Sequence, residues 1–575
     1  MNTNRTLIRR FAVSLALGLA GQAHAASPAP VAAENGMVVT AQHLATKVGV
    51  GILQDGGNAI DAAIAIGYAL AVVYPAAGNL GGGGFMTIQL ADGRKTFIDF
   101  REKAPLAAKP DMYLDASGNV IKELSTRGHL SVAVPGTVAG LELARTKYAR
   151  LSREKLLAPS IALAGEGFLL EQGDIDLYRG AVNDLGRDPA SAAIFLNKGQ
   201  AFQSGERLVQ ADLARTLKQI SMQGADGFYK GAVGAALVAS SAAGKGIITQ
   251  QDLNKYQARE LPPVECDYRG YRIVSAPPPS SGGVIVCEIL NIVEGYPLKD
   301  WGFRSAEAVH VQIEAMRHAY LDRNSYLGDP DFVKNPLARL LDKNYATGIR
   351  AAITPGKAGE SRLLKPGVAP HEGDNTTHYS VIDKDGNAVA VTYTLNGWYG
   401  ARITAAGTGV LLNNEMDDFT VKLGVPNLYG LVQGEPNAIA PEKRPLSSMS
   451  PTIVTREGKP LMVLGSPGGS RIITAVVHTI LNVIDYGMTM QEAVDAPRFH
   501  QQWLPETTDL ERFALSPDTQ KILSGWGHLF RSVRAGNHVA AILVGAPSLE
   551  AKPVGKNRFY GANDPRNHTG LALGY

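Results

Sequence analysis

Cysteine is almost missing from this chain. Its 575 residues include two, Cys266 and Cys287, with no CxxC pair and no cluster. That excludes a small disulfide-built module and any cysteine-ligated metal centre. An exported chain could join the two, and two buried thiols fit the spacing equally well. None of the 12 histidines falls in an HExxH or comparable spacing, so no metal and no cofactor are assigned. The glycine run at 81–84 is not followed by Gly-Lys-Ser/Thr, which leaves close backbone packing as the better reading than a phosphate loop. A membrane-spanning run is missing too: the apolar stretch at 11–20 is too short, and the one at 58–73 carries Asp61 and stops at Pro75. Charge of either sign is not in excess. The formal +3 falls to zero once the three N-terminal arginines are removed, which gives no reason to expect nucleic acid or an anionic membrane as partner.

Those arginines, Arg5, Arg9 and Arg10, precede the apolar stretch, and Ala23-His24-Ala25 offers a small-x-small cleavage site. Residues 1–25 therefore read as a secretory signal peptide, which places the mature protein in the periplasm or outside the cell. The rest has ordinary globular composition, 45% hydrophobic and 19% charged. Helices are expected at 41–53, 58–73, 284–293, 305–326 and 470–486, the last opened by Ser470 as N-cap. Residues 151–260 are mostly helical in pattern. Strand pairs are expected at 377–395, 452–464 and 538–560, so packed sheets covered by helices follow. The Gly- and Pro-rich stretch 355–373 reads as a tether.

Directly after that tether comes Asp374-Asn375-Thr376-Thr377-His378. A threonine hydroxyl is a weak nucleophile without a neighbouring base, and a freed α-amino group is such a base, with a reference pKa of about 7.7–8.0. A cut between Asn375 and Thr376 would create both groups on one residue. The β-prone run from Thr377, the turn Asp383-Lys384-Asp385-Gly386 and the return at 388–395 would hold it on a hairpin. An ordinary hairpin beginning with two threonines has the same pattern.

Five longer motifs stand around this point in the order GGGGFMTIQLADGRKTFIDFREKAP, TTHYSVIDKDGNAVAVTYTLN, LLNNEMDDF, RPLSSMSPTIV and GSPGGSRIITAV. Together they resemble the γ-glutamyltranspeptidases, members of the N-terminal nucleophile hydrolases, through the closing Ala562-Asn563-Asp564-Pro565-Arg566. The resemblance implies an α+β fold, a four-layer αββα sandwich. It implies a precursor that cuts itself at Asn375–Thr376 into a large subunit, 26–375, and a small one, 376–575, which stay together as a heterodimer. It also implies that Thr376 attacks the γ-carbonyl of glutathione-like donors. The acyl group then passes to water or to an amino acid or peptide amine.

The same resemblance implies the site. Thr394 would position Thr376. Gly468 and Gly469 would supply backbone N–H groups to the oxyanion, a role glycine's close approach also suits. Arg101 with Ser447 and Ser448 would take the donor's α-carboxylate. Asn396, Glu415 and Asp418 would take its α-ammonium, with Asp418 rather than Asp417 as the acidic ligand. Glu415 stands where many bacterial members carry glutamine. Tyr429, in the loop 425–430, would be the gating aromatic of a lid. Trp398 departs from the expected small hydroxyl residue and reads either as a wall of the acceptor site or as core packing. Two other functions stay open: a glutaryl or cephalosporin-type acylase of the same architecture, and an uncut, inactive binding protein.

Overall fold

The structure is a computed structural model that describes residues 27–361 and 376–575. The expected signal peptide, Asn375 and most of the expected tether lie outside the described residues. Fourteen strands build two seven-stranded sheets. In chain order they are β1 (Val31–Ala33), β2 (Met37–Thr40), β3 (Gly83–Gln89), β4 (Lys95–Phe100), β5 (Arg259–Leu261), β6 (Val264–Tyr268) and β7 (Tyr271–Ser275). After the expected cut come β8 (Thr377–Ile382), β9 (Ala388–Thr394), β10 (Thr452–Arg456), β11 (Lys459–Gly465), β12 (Ala540–Val544), β13 (Phe559–Asn563) and β14 (Leu571–Gly574). The first sheet runs β1-β13-β12-β11-β10-β7-β6 and the second β14-β2-β8-β9-β3-β4-β5, with every pairing antiparallel.

The two sheets face each other across a core of mostly small or branched residues, among them Val39, Ile382, Ala390, Ile453, Val463 and Ile542. Small side chains let the layers approach closely. On the outer face of the second sheet lie α1 (His43–Gln54), α2 (Ala59–Val73) and α3 (Thr137–Tyr148). On the outer face of the first lie α4 (Gly282–Val293) and α5 (Arg471–Ile484), with the long helix at Ala306–Tyr326 packed beyond α4. The order of layers is α-β-β-α, as expected.

Local chemistry fixes the helices. Asn58 caps α2 through its side chain while Asp61 reaches back to the Asn58 N–H, and all fifteen helical residues are buried. That explains its apolar surface all round. The helix expected to open at Ser470 instead begins at Arg471. Ser470 has helical backbone angles and makes no cap; its hydroxyl donates to Gln502 Oε1. The two cysteines, whose state the sequence leaves open, are disulfide-bonded and tie β6 to α4.

The β8–β9 hairpin occupies the middle of the second sheet, with Thr377 opposite Tyr393 and Ile382 opposite Ala388. Its turn is drawn together by Asp383 Oδ1, which accepts from the N–H groups of Asp385 and Asn387. The other oxygen of Asp383 accepts from Ala59 N–H, locking the turn to the start of α2. The glycine run packs backbone on backbone: a Cβ on Gly82 would stand 2.0 Å from the Thr394 carbonyl oxygen. The end of β9 is thus clamped where the candidate chemistry lies.

Candidate active site

Thr376 stands one residue before β8 and is buried. Extending the hairpin register by one step places it opposite Thr394, the last residue of β9. Thr394 Oγ1 accepts from Asn396 N–H at 2.8 Å, and its carbonyl accepts from Asn79. Asn396 has a left-handed backbone, φ 71°, stabilised as its side-chain amide donates to the Asn414 carbonyl. This bend turns the chain from β9 along the floor of a pocket.

The pocket brings together nearly all the residues marked in the sequence: Arg101, Thr376, Thr394, Asn396, Glu415, Asp418, Tyr429, Ser447, Ser448 and Gly469 line it. Gly468 precedes Gly469 at the β11–α5 turn, with both in positive-φ conformations, 122° and 54°. A Cβ on Gly469 would stand 2.1 Å from the Tyr429 ring, so glycine there is required by the packing of Tyr429 as well as by the backbone. Tyr429 closes over the turn and donates from its hydroxyl to the Asn396 carbonyl at 2.7 Å. Only about 20 Å³ of the pocket remains free, room for a water and no more.

Arg101 is fully buried at the end of β4, not solvated. Its Nη1 and Nη2 pair with Glu415 Oε1 and Asp418 Oδ2, each at 2.5 Å, and Glu102 lies 3.6 Å away. The expected carboxylate and ammonium ligands are therefore paired with one another here. Three carboxyls around one guanidinium leave a surplus of negative charge. Burial pushes Glu415 well above the usual carboxylate range against the pull of Arg101, with Glu102 reinforcing the rise. Burial likewise raises Glu102, to about 7, with Arg101 opposing.

The adjacent acid Asp417 turns elsewhere. It accepts from the Ser125 hydroxyl and from Leu428 N–H, anchoring the loop 425–430, while Asp418 faces Arg101. Ser447 Oγ accepts from Met449 N–H, and Ser448 Oγ accepts from Arg323 Nη2 at 3.0 Å. Trp398 packs edge-on against Tyr74 at the margin of the core, and it lines a cavity of about 650 Å³ with Arg534 and Arg566 that is separate from the Thr376 pocket.

Sequence reasoning misses two residues, Glu102 and Arg323. Arg323 lies in the helix Ala306–Tyr326, is 1% exposed, and lines the pocket. Its donors go to Ser281, Asn324, Gln433 and Ser448, all neutral, and among the described residues no carboxylate lies within ion-pair distance. Burial pulls its pKa down to about 10, with Tyr320 and Asp418 opposing. The pocket is thus dipolar: surplus carboxyl groups surround Arg101, and an unneutralised guanidinium stands behind Ser448. A zwitterion matches that distribution better than a singly charged group.

Comparison with known proteins finds relatives along almost the whole chain. The glutathione hydrolase proenzyme of Pseudomonas sp. (strain A14) is 72% identical over 553 residues, 96% of each chain. The glutathione hydrolase proenzyme of Escherichia coli (strain K12) is 48% identical over 99% of each. Among solved structures, the cephalosporin acylase from Bacillus halodurans superposes with a TM-score of 0.83 at 26% identity, covering 96% of this chain and 98% of that one. The family model for γ-glutamyltranspeptidases matches residues 45–574. With that match and these identities along almost its whole length, the chain belongs to the γ-glutamyltranspeptidase family and has the four-layer fold of the N-terminal nucleophile hydrolases.

Proposed function

We propose that this protein is an exported proenzyme that cuts itself before Thr376 and then transfers γ-glutamyl groups from glutathione-like donors to water or to amines. The observation that carries the reading is the placement of Thr376 in the same pocket as the dipolar charge set. A γ-glutamyl group presents an α-carboxylate, an α-ammonium and, at the other end, the amide to be broken. The carboxylate displaces Glu415 and Asp418 from Arg101 and takes the hydroxyls of Ser447 and Ser448. The ammonium takes Asn396 and the two released carboxylates. Arg101 exchanges its two protein carboxylates for the substrate's, and the ammonium takes up the charge they leave, which keeps the buried charges compensated.

In processing, Thr376 Oγ attacks the Asn375 carbonyl carbon. The peptide C–N bond is replaced by an ester, which water hydrolyses, leaving large (26–375) and small (376–575) subunits as a heterodimer. In turnover, Thr376 Oγ gives its proton to the Thr376 amine as it bonds to the γ-carbonyl carbon. The N–H groups of the Gly468–Gly469 turn stabilise the oxyanion, and Thr394 positions the nucleophile. The γ-amide C–N bond breaks, and the amine's proton goes to the leaving nitrogen. Water or an acceptor amine then attacks the ester and returns a proton to Thr376 Oγ. Tyr429 closes the pocket during the acyl-enzyme stage.

Export is supported by the signal-like residues 1–25 and by the Cys266–Cys287 disulfide, which suits an oxidising compartment. Among the described residues no helix is long and apolar enough to cross a membrane. The likeness to a cephalosporin acylase favours a second reading, an acylase for glutaryl amides, which lack the ammonium. The experiment has two parts. On a denaturing gel the parent gives two fragments and Thr376→Ala one intact band; matching patterns would remove Thr376 from the mechanism. The purified parent is then assayed with γ-glutamyl and glutaryl anilides. A kcat/KM at least tenfold in favour of γ-glutamyl is expected, since a charged hydrogen bond is worth about 1.5–3 kcal/mol. Preference for glutaryl would establish the acylase reading instead.

A further inference from the structure

Remote from Thr376, a second cluster of reactive side chains has no part in this chemistry. His310 and Glu314 lie one turn apart on the helix Ala306–Tyr326, and His528 follows the helix Pro517–Gly525 near the other end of the chain. All three are buried, and one ligand atom from each lies within 4.8 Å of the others. We propose that His310, Glu314 and His528 form a binding site for one divalent transition-metal cation of the zinc type, which joins the two halves of the chain.

The hydrogen bonding around the cluster sets its ligand atoms. His310 Nε2 is 3.0 Å from the Thr354 carbonyl oxygen, which can only accept, so the ring proton is on Nε2. The lone pair of Nδ1 then points at His528 Nε2, 2.8 Å away. An imidazole whose outer nitrogen donates to a backbone carbonyl is the usual supported form of a metal ligand. Tetrahedral zinc with nitrogen ligands at about 2.0–2.1 Å holds them about 3.3 Å apart, so the two rings need to separate by about half an ångström. Glu314 supplies the third ligand and leaves a fourth position for water, and two imidazoles with one carboxylate suit zinc rather than calcium or magnesium.

The surroundings favour a cation despite a nearby arginine. Arg317 Nε is 3.4 Å from Glu314 Oε2, and Arg317 Nη1 is 3.7 Å from Glu506, so two carboxylates and one guanidinium leave one negative charge. The Trp526 ring packs edge-on against His310, and Phe530 stacks on His528, which gives the polar cluster an apolar shell. The cluster also holds the segment leading to the expected cut: Thr354 O accepts from His310 and Gly359 N–H donates to Glu314. His310 and Glu314 precede Thr376 and His528 follows it. The cation therefore cross-links the two subunits, a consequence that rests on the self-cleavage reading, whereas binding itself does not.

The test uses untagged full-length protein, both parent and Thr376→Ala, stripped with EDTA, given ZnCl2 and passed through gel filtration. Bound zinc is counted by mass spectrometry. About one zinc per chain is expected in both proteins, falling to background in His310→Gln and His528→Gln and unchanged in His43→Gln, a partly buried histidine outside the cluster. In the parent, zinc should also raise the unfolding temperature, and added CoCl2 should give the intense visible absorption of a four-coordinate site. Failure of the parent to retain zinc or develop that absorption overturns the proposal even if the glutamine variants do not fold. Retention in well-folded His310→Gln and His528→Gln also overturns it. Retention by parent and Thr376→Ala alike, with neither protein cut, keeps the metal site and removes only the cross-link.

Discussion

Arg323 is charged, buried and satisfied entirely by neutral groups, and that combination gives it a testable role. Its Nη2–H occupies a lone pair of Ser448 Oγ, which directs the Ser448 proton towards the pocket where a carboxylate would sit. Its own charge adds to that of Arg101. Replacing it with glutamine removes both effects while keeping some hydrogen-bonding capacity. Arg323→Gln is expected to raise KM for a γ-glutamyl anilide about ten- to a hundredfold, with a smaller change in kcat, because the loss falls on ground-state binding. Arg323→Lys keeps the charge but not the planar fork and should lie between. A lowered melting temperature with KM unchanged would reduce Arg323 to packing. Nothing in its neighbourhood in the sequence signals this role, since a lone arginine on a long helix has the pattern of any charged helical residue. Arg101, Glu415 and Asp418 are legible because they lie in extended motifs, yet their mutual pairing depends on elements more than 300 residues apart in the chain.

At the scale of elements, the loop 425–430, the proposed lid, is held from its base. Gln502 donates to the Tyr429 and Gly430 carbonyls, and Asp417 accepts from Leu428 N–H. Burial raises Asp417 from its ordinary 3.8 to about 6, with the Ser125 hydroxyl and the Leu428 N–H opposing. Between those values the folded protein holds a proton that the unfolded chain has released. The contribution of this group to stability is therefore full below about pH 4 and is lost as pH rises through about 6, by at most roughly 3 kcal/mol. Asp417→Asn cannot titrate. Thermal unfolding at about pH 4.5 and 7.5 should show the variant gaining on the parent as pH rises; a constant difference would remove Asp417 from the pH response. Elements with local causes are the most legible ones. The β8–β9 hairpin, the capped helix α2 and the close-packed glycines follow from turn chemistry, periodicity and missing side chains. The Ser470 cap fails as an expectation because its backbone is helical rather than extended, and its hydroxyl donates to Gln502, distant in sequence. The disulfide was undecided because a spacing of 21 residues does not say whether a strand and a helix bring two Cβ atoms together.

Across the whole molecule, the proposed cut divides the chain but not the fold. In the first sheet the residues after Thr376 supply β10 to β13, the four inner strands apart from β7, while those before it supply β1, β6 and β7. In the second sheet the β8–β9 hairpin is inserted between β2 and β3, both from the other side of the cut. Without that partner the hairpin would expose two unpaired edges in the middle of the sheet and the apolar face that covers α2, a surface prone to aggregation. The part before the cut would in turn have β2 and β3 separated by a two-strand gap. Neither part has a core of its own. Residues 376–575 expressed alone are expected to yield no cooperative thermal transition and no hydrolysis of a γ-glutamyl anilide. The fragments of the self-cut parent should co-elute in gel filtration and separate only in denaturant. A cooperatively folding 376–575 chain would contradict this account of the sheets, because the β8–β9 hairpin would then be stable without the strands that flank it.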